Sequence, residues 1–337
     1  MQTLTLNGTA KDRGHIHGEQ MRAHIHTVLA FYQPLFERHA TGKLTQHVSI
    51  LLKNIEQFRP DYITEMTAIA EAANVDPFWI YCINARSELI SSPLECSTVA
   101  LPKQGLLAQN WDWSDALKGH IFVADIELEN GLRIKTMTEP GMLGKIGLNS
   151  QGIGVCLNIL PANQQLTGLP VHILLRALLE CTTLDAAKKL AEQHGNGKAS
   201  HIAIADEHNM VGVELAPDNT YITTANKGVY LHTNHYLTNI EGLSDINYPS
   251  RTCSETRLQR LQTIFDHAEH PSLDTVFNAL NDTGGAFPIL RSFTDSELIG
   301  NSGTLTTLIM DLKRKTLLIR EGNTAHERFH RFDMVDS

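Results

Sequence analysis

Residues 95–113 read Glu-Cys-Ser-Thr-Val-Ala-Leu-Pro-Lys-Gln-Gly-Leu-Leu-Ala-Gln-Asn-Trp-Asp-Trp, and this stretch organises the rest of the chain. Residues 96–101 include a β-branched Thr-Val pair and predict a strand. Residues 102–105 supply the proline and glycine of a turn, and residues 106–113 return to an extended apolar pattern. The stretch therefore predicts a β-hairpin.

Two residues of this hairpin could carry chemistry, namely Cys96 at its start and Asp112 near its end. A hairpin folds its far end back beside its start, so we expect the two side chains to lie near one another. On the local pattern alone, Cys96 could instead be a small buried packing residue.

The composition is typical of a globular protein. The chain has 337 residues, enough for one large domain or two ordinary ones. Hydrophobic residues make up 42% of the chain and charged residues 19%. The formal net charge of −9 at pH 7 argues against a nucleic-acid backbone or an anionic membrane as partner.

The N-terminus and the cysteines bear on the compartment. Residues 1–8 have neither a basic start nor a long apolar run, so we expect no signal peptide. No apolar run is long enough to predict a transmembrane helix. The five cysteines are odd in number and no two have CxxC spacing, which is typical of reduced thiols. We therefore expect a cytoplasmic protein.

The pattern of elements changes at Cys96. The part before it is mostly helical after a first strand at 1–8, with apolar residues at helical spacing over 11–58, 61–73 and 77–89. The part after the hairpin predicts strands at 121–128, 133–138, 145–148, 153–157, 201–205, 210–215, 220–223, 229–232, 305–312 and 316–320, and helices at 170–181, 184–194, 251–267 and 273–281. Blocks of strands separated by helix pairs favour two antiparallel sheets packed together, with helices outside them.

Several segments in a fixed order carry a family resemblance. They are RGHIHGEQMR at 13–22, NARSEL at 84–89, EPGMLGKIGLNSQGIGVCLNIL at 139–160, HTNH at 232–235, PILRSF at 288–293 and TLTTLIMDL at 304–312, with the run around Cys96 and AQNWDW. The chain resembles the acyl-coenzyme A:isopenicillin N acyltransferase family of autoproteolytic N-terminal-nucleophile (Ntn) hydrolases.

The resemblance implies a fold and a division of the chain. The fold is α+β, a four-layer αββα sandwich with two antiparallel sheets, in which Cys96 opens a central strand. The family precursor cleaves itself just before a cysteine. Here that implies a mostly helical fragment 1–95 and a catalytic fragment 96–337, which together complete one Ntn domain.

The implied cleavage between Glu95 and Cys96 would also activate the nucleophile. An unperturbed thiol is only slightly ionised at neutral pH, and no histidine is near in sequence. Cleavage gives Cys96 a free α-amino group, with a reference pKa of about 7.7–8.0, that can accept the thiol proton. Glu95 departs from the glycine that is usual in the family. It could slow the cleavage or assist it as a local base, and both alternatives stay open.

Four further residues are expected at the catalytic site. By resemblance, Asp112 holds the α-ammonium group and Arg291 in register, and the Arg291 guanidinium stabilises the thiolate. Asn234 is the expected oxyanion donor, because an amide donates hydrogen bonds without titrating. Asn158 is a second expected donor, through its side chain or its backbone amide.

We expect the substrate to contact Trp111, Trp113, Ile159 and Leu160. Core packing is the alternative for at least one tryptophan. We expect no metal and no cofactor. His232 and His235 lie in a strand-to-loop pattern without an acidic partner motif, and no HExxH spacing or phosphate-loop signature occurs.

The sequence thus predicts an enzyme that cleaves or transfers an acyl group at an amide bond through a thioester acyl-enzyme. Its expected substrate is a small-molecule amide or an acyl-coenzyme A, and the resemblance does not decide between hydrolysis and transfer. The alternative is a binding protein that keeps the fold but never matures.

Overall fold

The computed structural model describes residues 1–39, 42–90 and 96–334, and the following description refers to these residues. None of the helices they form is long and apolar enough to cross a membrane.

The N-terminal part is a strand followed by helices. These are β1 (Gln2–Leu6), α1 (Ala10–Gln20), α2 (Arg22–His39), α3 (Leu44–Phe58), α4 (Pro60–Ala73), α5 (Pro77–Asn84) and α6 (Arg86–Ile90). Local sequence sets several of the starts. Thr9 and Asp12 form a capping box at the start of α1, and prolines occupy the first turns of α4 and α5. The predicted helix over 77–89 is two helices, because the chain leaves helical geometry at Ala85.

Helices α1 and α4 pack with their backbones close together. A Cβ atom added at Gly14 would overlap the carbonyl oxygen of Glu65, and one at Gly18 would overlap that of Ile69. The two glycines, spaced by one helical turn, therefore permit this close approach.

The remaining strands are β2 (Ser97–Leu101), β3 (Leu106–Ser114), β4 (Phe122–Glu127), β5 (Arg133–Thr138), β6 (Ile146–Asn149), β7 (Gly154–Ile159), β8 (Ser200–Ala205), β9 (Met210–Leu215), β10 (Thr220–Thr223), β11 (Tyr230–His232), β12 (Thr294–Ser296), β13 (Gly300–Asp311), β14 (Thr316–Glu321) and β15 (His330–Asp333). The remaining helices are α7 (Val171–Leu178), α8 (Leu184–Gln193), α9 (Arg251–Asp266) and α10 (Leu273–Leu280).

The strands form two sheets. The first has the order β1-β4-β5-β6-β7-β8-β9-β10, and the second has the order β11-β2-β3-β13-β14-β15, with β12 paired to β13. Within the described residues every pairing is antiparallel except that of β1 with β4, which is parallel. The predicted α+β class and its αββα layering are confirmed, with this one parallel pair as an addition.

The second sheet buries both of its faces. Ala100 and Leu107 lie in the core between the sheets, whereas Val99 and Leu101 face the outer helices and cluster with Leu261. Strand β2 therefore lies inside the sandwich, with α9 and α10 on one side and the first sheet on the other. A residue at the start of β2 is shielded from solvent.

Candidate active site

The hairpin of β2 and β3 brings the predicted nucleophile beside the predicted carboxylate. Ser97 pairs with Asn110, so Cys96, one residue earlier, lies alongside the Trp111–Asp112 segment. Cys96 and Asp112 both line one small cavity. The structure thus brings together the two residues that the hairpin pattern singled out. Glu95, the other side of the predicted cleavage site, lies outside the described residues.

The cavity beside Cys96 has a volume of about 10 Å³. That is room for about one water molecule. A much larger cavity of about 590 Å³ opens between β10, β11 and α9, but no cysteine lines it. We place the candidate site at the small cavity, because its walls carry the predicted nucleophile and charged groups. The lining residues are Arg86, Cys96, Trp111, Asp112, Trp113, Lys145, Leu157 and Ile159.

The Cys96 thiol is buried, with 4% of the residue exposed. Burial raises its pKa to about 11, and the Asp112 carboxylate adds to this rise, while Lys145 and Arg257 oppose it. The thiol is therefore protonated at neutral pH and needs a base in contact with it before it can attack.

Asn234 contacts the main-chain nitrogen of Cys96. The Cys96 N–H donates to Asn234 Oδ1 at 2.6 Å, and Asn234 Nδ2 donates to the Ile159 carbonyl at 2.9 Å. Arg257 Nη2 also donates to Asn234 Oδ1, at 3.1 Å. The Cys96 N–H and Arg257 both donate to one end of the Asn234 amide, and the Ile159 carbonyl accepts from the other end. These contacts identify the first end as the oxygen and the second as the nitrogen. The oxygen of Asn234 faces Cys96, and among the residues that the structure describes the nitrogen uses one of its two hydrogens.

Arg257, which the sequence analysis did not single out, contacts the predicted nucleophile Cys96 directly. Its Nη1 donates to the Cys96 carbonyl at 2.7 Å and to Ser97 Oγ at 2.8 Å. A signal for it existed in the sequence. Arg257 lies four residues from both Cys253 and Leu261, on the buried stripe of α9, where a lone cation is unusual.

Asp112 accepts a hydrogen bond from Thr304 Oγ1 at 2.7 Å. Arg291 Nη1 lies 3.8 Å from Asp112 Oδ2, an ion-pair distance longer than a hydrogen bond. Burial raises the pKa of Asp112 to about 7, against the opposing effects of Arg257 and Thr304. The structure thus places Arg291 near Asp112, as expected, whereas the guanidinium bonded to Cys96 is that of Arg257.

The two tryptophans support buried cations. Lys145 Nζ lies 2.8 Å from the ring centroid of Trp111, and Arg86 Cζ lies 4.1 Å from that of Trp113. Arg86 and Lys145 both donate to Glu139 Oε1, at 2.9 and 3.0 Å. Although burial opposes its ionisation, these two cations lower the pKa of Glu139 to about 2, whereas burial lowers the pKa of Lys145.

The other expected substrate contacts are split. Ile159 lines the cavity beside Cys96. Leu160 instead packs in a separate apolar cluster that contains Ala216 and Tyr236.

Asn158 lies on β7 of the first sheet and contacts the hairpin across the sandwich. Its Oδ1 accepts from Thr98 Oγ1 at 2.8 Å and lies 2.9 Å from His201 Nδ1. Its Nδ2 is buried and has no hydrogen-bond partner among the described residues.

The two histidines considered as metal ligands contact other side chains. His232 contacts Glu214 and His235 contacts Ser254, so each is held by protein groups.

Comparison with known proteins identifies the family. Residues 100–326 match the model of the family described as "Acyl-coenzyme A:6-aminopenicillanic acid acyl-transferase". The chain belongs to this family. The predicted recognition is therefore confirmed, and the match includes Asp112, Asn158, Asn234 and Arg291 but begins after Cys96.

A curated member of the acyltransferase family aligns with nearly the whole chain. It is the acyl-coenzyme A:6-aminopenicillanic-acid-acyltransferase 40 kDa form of Emericella nidulans, 29% identical over 349 residues that cover 98% of this chain and 95% of the relative. This alignment extends over both predicted fragments.

Two solved structures are more distant. A mutant of conjugated bile acid hydrolase from Clostridium perfringens has a TM-score of 0.47 at 15% identity, covering 72% of this chain and 92% of that one. Penicillin V acylase from Agrobacterium tumefaciens has a TM-score of 0.44 at 14% identity, covering 71% and 86%.

Proposed function

We propose that this member of the acyltransferase family is an autoproteolytic cysteine enzyme that cuts its own chain between Glu95 and Cys96. One observation carries the proposal. The Cys96 nitrogen, which cleavage would turn into an α-amino group, is held at 2.6 Å by Asn234 Oδ1 in a buried network. The nitrogen is thus oriented before it is needed as a base.

Self-cleavage would proceed by an acyl shift. The Cys96 thiol loses its proton and its sulfur attacks the Glu95 carbonyl carbon. The carbon–nitrogen bond then breaks, and the proton passes to the Cys96 nitrogen. The resulting thioester is hydrolysed by water, which releases the Glu95 carboxylate and restores the thiol beside a free α-amino group.

Turnover would use the same sulfur. The α-amino group takes the thiol proton, the sulfur attacks the amide carbonyl, and the leaving amine receives the proton. The second hydrogen of Asn234 Nδ2 is our proposed oxyanion donor, together with a backbone N–H near Asn158. Asp112 would hold the α-ammonium form and Arg291 in register, and the Arg291 guanidinium would stabilise the thiolate.

The acyl-enzyme formed in this way serves two reactions. Water as acceptor gives an amidohydrolase, and an amine as acceptor with an acyl-coenzyme A donor gives an acyltransferase. The name of the Emericella relative supports an acyl-coenzyme A or small-molecule amide substrate. We propose Trp111, Trp113 and Ile159 as the contacts of this substrate.

The compartment is part of the same proposal. The five cysteines are all free in the structure, which supports a reducing, cytoplasmic compartment.

Intact mass and an amide and acyl-coenzyme A substrate screen test the proposal. The wild-type chain should yield two fragments, whereas Cys96→Ala should stay one inactive chain. Cys96→Ser should cleave slowly and turn over amides poorly, since a hydroxyl is the weaker nucleophile. A wild-type chain that stays intact and inactive would instead support the alternative of a binding protein that never matures.

A further inference from the structure

Helix α9 places a buried cation against the nucleophile. Arg257 is fully buried, and its three hydrogen-bond acceptors in the described part of the chain are the Cys96 carbonyl, Ser97 Oγ and Asn234 Oδ1, all of them uncharged. Its Nε has no hydrogen-bond partner among the described residues. The Asp112 carboxylate attracts this charge. Burying a cation whose hydrogen-bond acceptors are neutral still costs stability, so packing alone does not account for a guanidinium here.

The contacts of Arg257 join the main chain at the start of β2 to the side chain of Asn234. On one side the guanidinium holds the carbonyl of Cys96 and the hydroxyl of the next residue, which fixes the main chain at the start of β2. On the other side it holds the oxygen of Asn234, whose second partner is the Cys96 nitrogen. The carbonyl, nitrogen and amide therefore share one rigid anchor.

We propose that Arg257 is the positioning residue that prepares Cys96 for self-cleavage and for turnover. This inference rests on the proposed function. Arg257 aims the Oδ1 of Asn234 at the Cys96 nitrogen, so that the nitrogen has one orientation before and after the cut. Its positive charge also disfavours a second cation at that nitrogen, and this keeps the mature α-amino group in its neutral, proton-accepting form.

Other charged groups face Cys96 and stay in place when Arg257 is changed. They are Asp112 on β3, Arg86 on α6, Lys145 before β6, and Arg291, which lies 3.8 Å from Asp112. The thiols of Cys156 on β7 and Cys253 on α9 are further titratable neighbours. A difference in the pH dependence of kcat/KM between wild type and an Arg257 variant therefore reports the loss of the Arg257 guanidinium.

The test compares Arg257→Gln, Arg257→Lys and the control Arg260→Gln. Arg260 lies one helical turn further along α9 and pairs with Asp282, away from the site. We would measure self-cleavage by intact mass over time, kcat/KM against pH with an amide that the wild type cleaves, and thermal melting.

Arg257→Gln should slow self-cleavage roughly 10²-fold, the loss expected from a misplaced reacting group. The acidic limb of its kcat/KM profile should move up by about one pH unit or more, because the base loses a cationic neighbour. Arg257→Lys should also cleave itself slowly, but the acidic limb of its kcat/KM profile should stay at the wild-type pH, because the lysine keeps the positive charge. Arg260→Gln should match wild type in its self-cleavage rate and in the acidic limb of its kcat/KM profile.

Three outcomes would overturn the assignment of this role to Arg257. The first is an Arg257→Gln variant that keeps the wild-type cleavage rate and the wild-type acidic limb. The second is an acidic limb that moves as far in Arg257→Lys as in Arg257→Gln. The third is unfolding of both variants, which would show that Arg257 has a structural role. An intact, inactive wild-type chain would overturn the proposed function as well, so the two failures are distinguishable.

Discussion

At the residue scale, the site depends on which atom of each polar group faces Cys96. The sequence indicated Asn234 as a donor, and the structure shows its oxygen toward the Cys96 nitrogen and its nitrogen toward the Ile159 carbonyl. In our proposal, one amide therefore orients the base with its oxygen and binds the oxyanion with its nitrogen. These two tasks are separable by substitution.

Asn234→Asp and Asn234→Leu separate the two tasks. The aspartate keeps an acceptor for the Cys96 nitrogen and for Arg257 but loses the donor, so we expect self-cleavage with turnover lowered by roughly 10²–10³. The leucine loses both groups and should also impair cleavage. Mass spectrometry and kcat of the cleaved protein provide the measurements. Wild-type kcat in cleaved Asn234→Asp would show that Asn234 is not the oxyanion donor.

Asp112 should make stability depend on pH. Its pKa is about 7 in the folded chain, above the value of 3.8 of an unperturbed aspartate, because burial disfavours the carboxylate. The folded state then binds the proton more tightly than the unfolded state. This contribution to stability is present below about pH 4 and is lost as the pH rises through about 7.

We expect Asp112→Asn to remove this dependence, both chains being compared in the Cys96→Ala background, which stays uncut. The melting temperature of the parent should fall relative to that of Asp112→Asn between about pH 4 and 7. A melting-temperature difference that stays constant over this range would show that Asp112 is ionised in the fold.

At the element scale, the accuracy of the sequence predictions depended on whether the signal was local. The β2–β3 hairpin was predicted correctly, because its β-branched residues, its apolar pattern and its Pro-Lys-Gln-Gly turn lie within one short stretch. Strands β12 and β15 were missed. Both lie at an edge of the second sheet and are largely polar and exposed, so they lack the apolar pattern of a core strand.

Helix α9 shows why part of the site was missed. The helix itself was predicted from apolar spacing, but the role that we propose for Arg257 arises only when α9 packs beside the start of β2. Ser254, one turn earlier, accepts a hydrogen bond from the Asn234 N–H at 2.7 Å. The same helix thus holds both the main chain and the side chain of Asn234, a long-range relation that no local pattern contains.

The contact of α1 with α4 gives a prediction about stability. Gly14→Ala should destabilise the Cys96→Ala chain by about 1–3 kcal/mol, because overpacking against the Glu65 carbonyl exceeds the gain in helix propensity of about 1 kcal/mol. Gly144→Ala is the matched control, since an added Cβ there meets its nearest atom, in Arg176, at 3.5 Å. Urea unfolding measures both. Equal stability of the two variants would show that the helices can move apart at little cost.

At the scale of the whole molecule, the two predicted fragments are interlaced. Strand β1 pairs with β4, Arg86 pairs with Glu139 at 2.9 Å, and Glu65 pairs with Arg176 at 3.2 Å. Each contact joins a residue before the expected cut to one after it. Cleavage would therefore divide the chain without dividing the core.

We expect fragments 1–95 and 96–337 to remain associated without a disulfide. Size exclusion under reducing conditions should give one peak containing both fragments, and denaturant should separate them. Separate elution of the fragments from an active preparation would contradict this prediction.

The central claim is that Cys96 becomes the N-terminal residue of a catalytic chain. N-terminal sequencing of the purified, active protein tests it most directly. We predict a chain that begins Cys-Ser-Thr-Val, in an amount that rises with amidase or acyltransferase activity. Full activity in a protein that starts at another residue, or that has no free N-terminus at Cys96, would contradict the account.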